Sequence, residues 1–259
     1  LALDANTTAD NNTAVGHEAL KTNNANANVA VGDGALRANT TGVSGVAVGF
    51  YALYGNTTGD YNTAIGRGSM STNTTGASNA AVGYQALTSN TTGDQNTGIG
   101  FEALALNTTA DNNTAIGYYA LRSNTTGANN VAIGPNALDA NTTANNNTAV
   151  GRHTLSANTT GASNTAIGNS VLYSNTTASN NTGVGQDALL LNTTGTSNVA
   201  VGAFALDANT TGGNNTAVGR GALGANTTAN NNTAVGYNSM SSNTTRVQNV
   251  AVGVSALNA

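Results

Sequence analysis

Cysteine and tryptophan are absent from the 259 residues, and proline occurs once. Without cysteine there is no disulfide framework and no thiolate metal site, and the redox compartment cannot be read. Charged residues make up 7% of the chain and aromatic residues 4%. Catalysis needs titratable groups that converge, so this scarcity argues against an enzyme, and no catalytic, metal or cofactor site is expected. The net charge is −4 and the seven Lys and Arg residues are scattered, which leaves no electrostatic footprint for nucleic acid. No apolar run approaches the ~18–20 residues of a membrane-spanning helix, so no membrane insertion is expected in this segment, and no signal-peptide pattern is visible. What the chain has instead is 44 asparagines and 32 glycines.

A repeat accounts for that composition. One glycine recurs at 16, 32, 49, 66, 83, 100, 117, 134, 151, 168, 185, 202, 219, 236 and 253, every 17 residues except across the first interval, where Asn23–Asn28 is one residue short. The unit Asn62–Ser78 shows the form N-[T/V]-A-[V/I]-G-x-x-A-L-x-x-N-T-T-[G/A]-x-x, and fifteen copies fill the chain. Residues 1–259 therefore read as one continuous repeat array. The residue before the glycine is Val or Ile in every copy, and the Leu position varies only to Met70 and Met240. Charges, among them Arg67, Asp94, Glu102 and Arg152, fall in the three x-x windows, with Arg246 the exception. Fixed positions are small, apolar or amide, as an interior would be.

A 17-residue unit is too short for a pair of helices, and this much Asn, Thr and Gly disfavours helix. The β-branched run between Asn and Gly reads as a short strand. The following Ala-Leu reads as a second, shorter strand, and N-T-T-[G/A] as a corner that returns the chain. The expected fold is all-β: a parallel β-solenoid of about fifteen rungs, ~4.8 Å apart. Equivalent residues then form columns, in which Asn62, Asn79, Asn96 and Asn113 make an amide ladder, Ile65, Val82, Ile99 and Ile116 an apolar one, and Gly66, Gly83, Gly100 and Gly117 a glycine one.

In a strand Thr63 and Ile65 share one face and Asn62 and Ala64 the other. Neither face carries charge, and a core of one Val/Ile and one Leu per rung is thin. The second face is therefore expected to pack on further copies of the chain, with three around an axis as a simple closed arrangement, although periodicity alone does not choose three over two. Both ends fall inside a repeat without a polar cap, so the expectation is a segment of a longer fibre or a subunit of an end-to-end filament.

The run Asn113-Thr114-Ala115-Ile116-Gly117-Tyr118-Tyr119-Ala120 resembles the head repeat of trimeric autotransporter adhesins, and it is similar to repeats of phage tail fibres. The resemblance extends along the whole chain, although adhesin heads use a shorter unit. It implies a homotrimeric β-roll displayed outside a cell or virion and used for attachment.

Other chemistry competes with this reading. Asp94 and Asp111 occupy equivalent positions on adjacent rungs and could pinch a cation, but the calcium β-roll pattern is missing. Stacked Thr and Asn columns suggest ice binding as an alternative, although the Thr63 column is broken by Val or Ala in six of fifteen rungs. N-T-T is also a glycosylation sequon, with acceptors at Asn6, Asn39, Asn56, Asn73, Asn90, Asn107, Asn124, Asn141, Asn158, Asn175, Asn192, Asn209, Asn226 and Asn243. The competing reading is that these Asn and Thr side chains simply build the corner. The first candidates for a surface contact are the aromatics in the window after the glycine: Tyr51, Tyr84, Phe101, Tyr118, Tyr119 and Tyr237.

Overall fold

The computed structural model describes residues 1–258. It is all-β, with fifteen three-residue strands and, among the described residues, no helix. The chain divides into two compact units, Leu1–Asn130 and Val131–Ala259. The first holds β1 (Thr13–Val15), β2 (Val29–Val31), β3 (Val46–Val48), β4 (Thr63–Ile65), β5 (Ala80–Val82), β6 (Thr97–Ile99) and β7 (Thr114–Ile116). The second holds β8 (Val131–Ile133) through β15 (Val250–Val252). Within each unit every strand pairs in parallel with the next. Register follows the repeat: Thr97 faces Thr114, Gly98 faces Ala115 and Ile99 faces Ile116. Each unit is a parallel β-solenoid with 17-residue rungs.

The interior differs from the expected one. Ala64, Ala81 and Ala115, the middle residues of their strands, are fully buried, and so are Leu53, Met70, Leu87 and Leu104. The Val/Ile column does not belong to this core. Ile65, Ile99 and Ile116 are 40%, 38% and 37% exposed. The strand alternates as expected, but its inward face is the one carrying Asn62 and Ala64. Between closely spaced walls, alanine fits where a β-branched side chain would hold them apart.

The expected second strand is also absent. Residues 67–72 form consecutive turns, and Met70, like the Leu at its position in other rungs, adopts left-handed φ of about 50° (Met70 48°, Leu87 52°, Leu104 53°). In a strand, Ser69 and Met70 would point to opposite faces. The left-handed residue turns the chain so that both side chains point inward, and both are fully buried. A left-handed non-glycine residue costs about 1–2 kcal/mol. Ladder bonds offset that cost: the Leu53 N–H donates to the Ser69 carbonyl (3.0 Å) and the Leu87 N–H to the Ala103 carbonyl (2.9 Å).

Two columns of asparagine complete the interior. In the N-T-T column the amides bond to one another: Asn73 Nδ2 donates to Asn56 Oδ1 (2.7 Å), Asn90 Nδ2 to Asn73 Oδ1 (2.8 Å) and Asn107 Nδ2 to Asn90 Oδ1 (2.9 Å). Each Nδ2 also donates to the carbonyl three residues on, as Asn90 does to Gly93 (3.0 Å). The column of Asn62, Asn79, Asn96 and Asn113 works mainly through backbone. Asn62 Nδ2 donates to the Gly76 carbonyl (2.7 Å), while Asn62 Oδ1 accepts the Asn79 backbone N–H (3.0 Å). Asn79, Asn96 and Asn113 repeat the pattern one, two and three rungs further on. An amide supplies both donors and acceptors in a fixed plane, so one residue type can satisfy a rung above and below. A buried polar group is tolerable only when its hydrogen bonds are made in this way.

Candidate functional site

The outward positions of a rung form three strips. The strand presents Thr63 and Ile65, the turn after the glycine presents positions 67, 68, 71 and 72, and the corner presents Thr75, Ala77 and Ser78. The strand strip is nearly uniform from rung to rung and the corner varies at positions 77 and 78, whereas the turn strip carries most of the charged and aromatic residues.

In the unit Leu1–Asn130 this strip holds an aromatic cluster. Phe50, Arg67, Tyr84, Phe101 and Tyr118 occupy one position on five successive rungs. Rung spacing of ~4.8 Å lies within the 4.5–7 Å range of ring stacking, so side chains at one position meet without further adjustment. Tyr84 stacks on Phe101 with centroids 5.0 Å apart and planes 12° apart, and Phe101 on Tyr118 at 5.5 Å and 20°. The Arg67 guanidinium lies between rings, 5.7 Å from the Phe50 centroid and 5.6 Å from that of Tyr84. Tyr51 stacks beside Phe50 (4.0 Å) and touches Tyr54 (4.7 Å), while Tyr119 lies 4.0 Å from Tyr118. The Tyr119 phenol titrates above its ordinary range, chiefly because of its hydrogen bond with Tyr118.

Ion pairs edge the cluster. Arg122 Nε donates to Glu102 Oε2 (2.7 Å) and its guanidinium stands 4.5 Å from the Tyr119 centroid. Glu18 accepts from Lys21 Nζ and from Arg37 Nε, both at 2.5 Å. Those hydrogen bonds hold the Glu18 carboxyl at about 2, below its usual 4.5.

Of the six aromatics singled out in the sequence, Tyr51, Tyr84, Phe101, Tyr118 and Tyr119 thus belong to this one cluster. Tyr237 lies in the other unit, where its hydroxyl accepts from Arg220 (3.3 Å). Phe50, Tyr54, Arg67 and Arg122 were not among the candidates, although aligning the repeats by column would have found the Phe50–Tyr118 series.

The N-T-T asparagines are inside. From Asn39 to Asn243 all are buried, and Asn6, half-buried, donates through Nδ2 to the Ala9 carbonyl (3.0 Å). A glycan on these Nδ2 atoms would displace the interior ladder, so the corner-building role excludes the acceptor role in the folded chain. The Asn columns are equally out of reach of ice. Thr74 turns its hydroxyl back to the Thr91 carbonyl (2.9 Å), which leaves the Thr63 and Thr75 columns as the outward threonines of the rung.

The Asp94 and Asp111 carboxylates serve the backbone. Asp94 Oδ1 accepts the Ala77 N–H (2.7 Å) and Asp111 Oδ1 the Asp94 N–H (2.8 Å). His17 pairs with Asp33 at 3.4 Å in full view of solvent. Among the described residues, no group of three or more His, Asp or Glu is placed to hold a metal ion, and no helix is long and apolar enough to cross a membrane. No protein-family model and no curated protein matches the chain.

Proposed function

We propose that this chain is a structural fibre segment that assembles with further copies of itself through the strand strip and carries contact residues on the turn strip. The observation that supports the reading is the Ile65 column. Each rung turns a Val or Ile outward beside a Thr, a Val or, in one rung, Ala80, and no charged residue interrupts either column. A solvated sheet face normally alternates with polar and charged side chains, and contiguous exposed apolar surface marks an interaction site. Identical rungs present identical strips, so a second copy is the partner that matches along the whole length. Three chains around an axis form a closed arrangement, and the likeness to trimeric adhesin heads favours three over two. The likeness to adhesin heads and tail fibres adds an extracellular, cell-surface or virion setting and a role in attachment.

The test is native mass by light scattering, on the wild-type chain and on the double variant Ile99→Asp/Ile116→Asp. The expected wild-type mass is three times that of the chain. The variant, which must desolvate two carboxylates to assemble, is expected to run as a monomer with its β-sheet circular dichroism intact. A folded wild-type monomer overturns the self-assembly reading, and open-ended polymers overturn the closed trimer.

A further inference from the structure

The aromatic cluster contains one gap. Along the column of Tyr51 the residues are Gly34, Tyr51, Gly68, Gln85, Glu102 and Tyr119. The Tyr51 ring leans over Gly34, so closely that a Cβ there would lie within 2.6 Å of two ring carbons. The space over Gly68 is left empty: a Cβ there would meet only Gln85 Cγ, at 3.5 Å. The result is a slot of about 150 Å³ lined by Phe50, Tyr51, Arg67, Gly68, Ser71 and Gln85.

We propose that this slot binds a single sugar ring carrying a carboxylate, of the uronic acid type. In the same measure one water needs ~10–15 Å³, so the slot has room for one six-membered ring. The C–H edges of such a ring suit the electron-rich aromatic walls, and Tyr51 and Phe50 are 41% and 43% exposed. Gln85 and Ser71 offer an amide and a hydroxyl to the sugar hydroxyls.

Arg67 selects the charge. The guanidinium of Arg37 is paired with Glu18 and that of Arg122 with Glu102. Arg67 has no carboxylate partner among the described residues; it is held by two rings and donates one bond to the Tyr84 hydroxyl (3.2 Å). A planar fork fixed at the mouth of a slot, with most of its five N–H donors free, is built for bidentate recognition of a carboxylate.

The proposal rests on reading the turn strip as the contact strip and is independent of assembly through the strand strip. Its test is calorimetric titration of the whole chain with glucuronate and with glucose. Glucuronate is expected to bind roughly tenfold or more tighter than glucose, as a charge-assisted pair adds ~1.5–3 kcal/mol. Gly68→Tyr and Gly68→Asn fill the slot with residues the fold already carries at this position, Tyr51 and Tyr119 at φ 56° and Asn136 and Asn238 at φ 55° and 50°. Both are expected to abolish binding without moving the melting temperature or the native mass. Arg67→Gln, the residue found there as Gln186, is expected to bring glucuronate down to the affinity of glucose. No glucuronate binding by the wild type, or unchanged binding in a folded Gly68 variant, overturns the proposal. A monomeric mass with glucuronate binding intact would instead count against self-assembly alone.

Discussion

Gly100→Ala is expected to open the ladder around β6 and lower the melting temperature, with a local cost of about 3 kcal/mol or more. Gly100 has φ of 137°, and the glycines at this position in the other rungs lie between 117° and 140°. That conformation is essentially closed to residues with a Cβ. A Cβ on Gly100 would also fall against the Gly117 carbonyl. The clash is the lesser effect, as a second glycine column shows. Gly76 likewise has the next rung's carbonyl against its missing Cβ, yet Ala110, Ala144, Ala178 and Ala229 stand at that position in other rungs. Gly76 has no positive φ, so the backbone accommodates the methyl. Gly76→Ala is therefore the control, expected to melt close to wild type. The check is thermal unfolding followed by circular dichroism, with amide exchange to locate the opening. Because repeats contact only their neighbours, lost protection should centre on the substituted rung. Equal melting of the two variants would contradict the assignment of strain to the Gly100 column.

Asn90→Leu should cost about 3–6 kcal/mol, as two or three buried polar groups lose partners worth ~1–3 kcal/mol each. Asn90 Nδ2 donates to Asn73 Oδ1 and to the Gly93 carbonyl, and its Oδ1 accepts from Asn107 Nδ2. Leucine fills the volume and satisfies none of these. Asn90→Asp probes the same site through pH. The two groups that face the asparagine Nδ2 are acceptors, so an ionised carboxylate is repelled there and its folded pKa is raised. Such a variant is least handicapped below the ordinary aspartate pKa of ~3.9 and loses stability as pH rises from there through the raised value. Urea unfolding at several pH values reads both variants. Wild-type stability for Asn90→Leu would mean that the amide column is dispensable.

Much of this architecture is legible in the residues. The spacing of Gly66, Gly83 and Gly100 sets the rung, and the partition of fixed from variable positions separates inside from outside. Two features are not legible, for physical reasons. Ile65 is the most hydrophobic residue of its strand and reads as core, but a narrow coil has room there only for alanine, whose burial leaves little signal. Leu87 and Leu104 carry no mark of a left-handed backbone, because leucine is not a residue that favours one; tertiary packing imposes it. The N-T-T motif shows the opposite case, in which a familiar surface signature sits on an interior amide column. For the candidate site, the stacked column from Phe50 to Tyr118 follows from the 17-residue spacing. The slot over Gly68 does not, because it depends on Tyr51 leaning toward Gly34 rather than away from it.

Hydrogen exchange of the asparagine side-chain amides in the ¹⁵N-labelled protein tests the interior amide ladder without mutation. The Nδ2 protons of Asn56, Asn73, Asn90 and Asn107 are expected to exchange slowly, in step with the backbone amides of their rungs. Exchange at the rate of free asparagine would contradict the interior amide ladder on which the rung, and the outward turn of its Val/Ile column, depend.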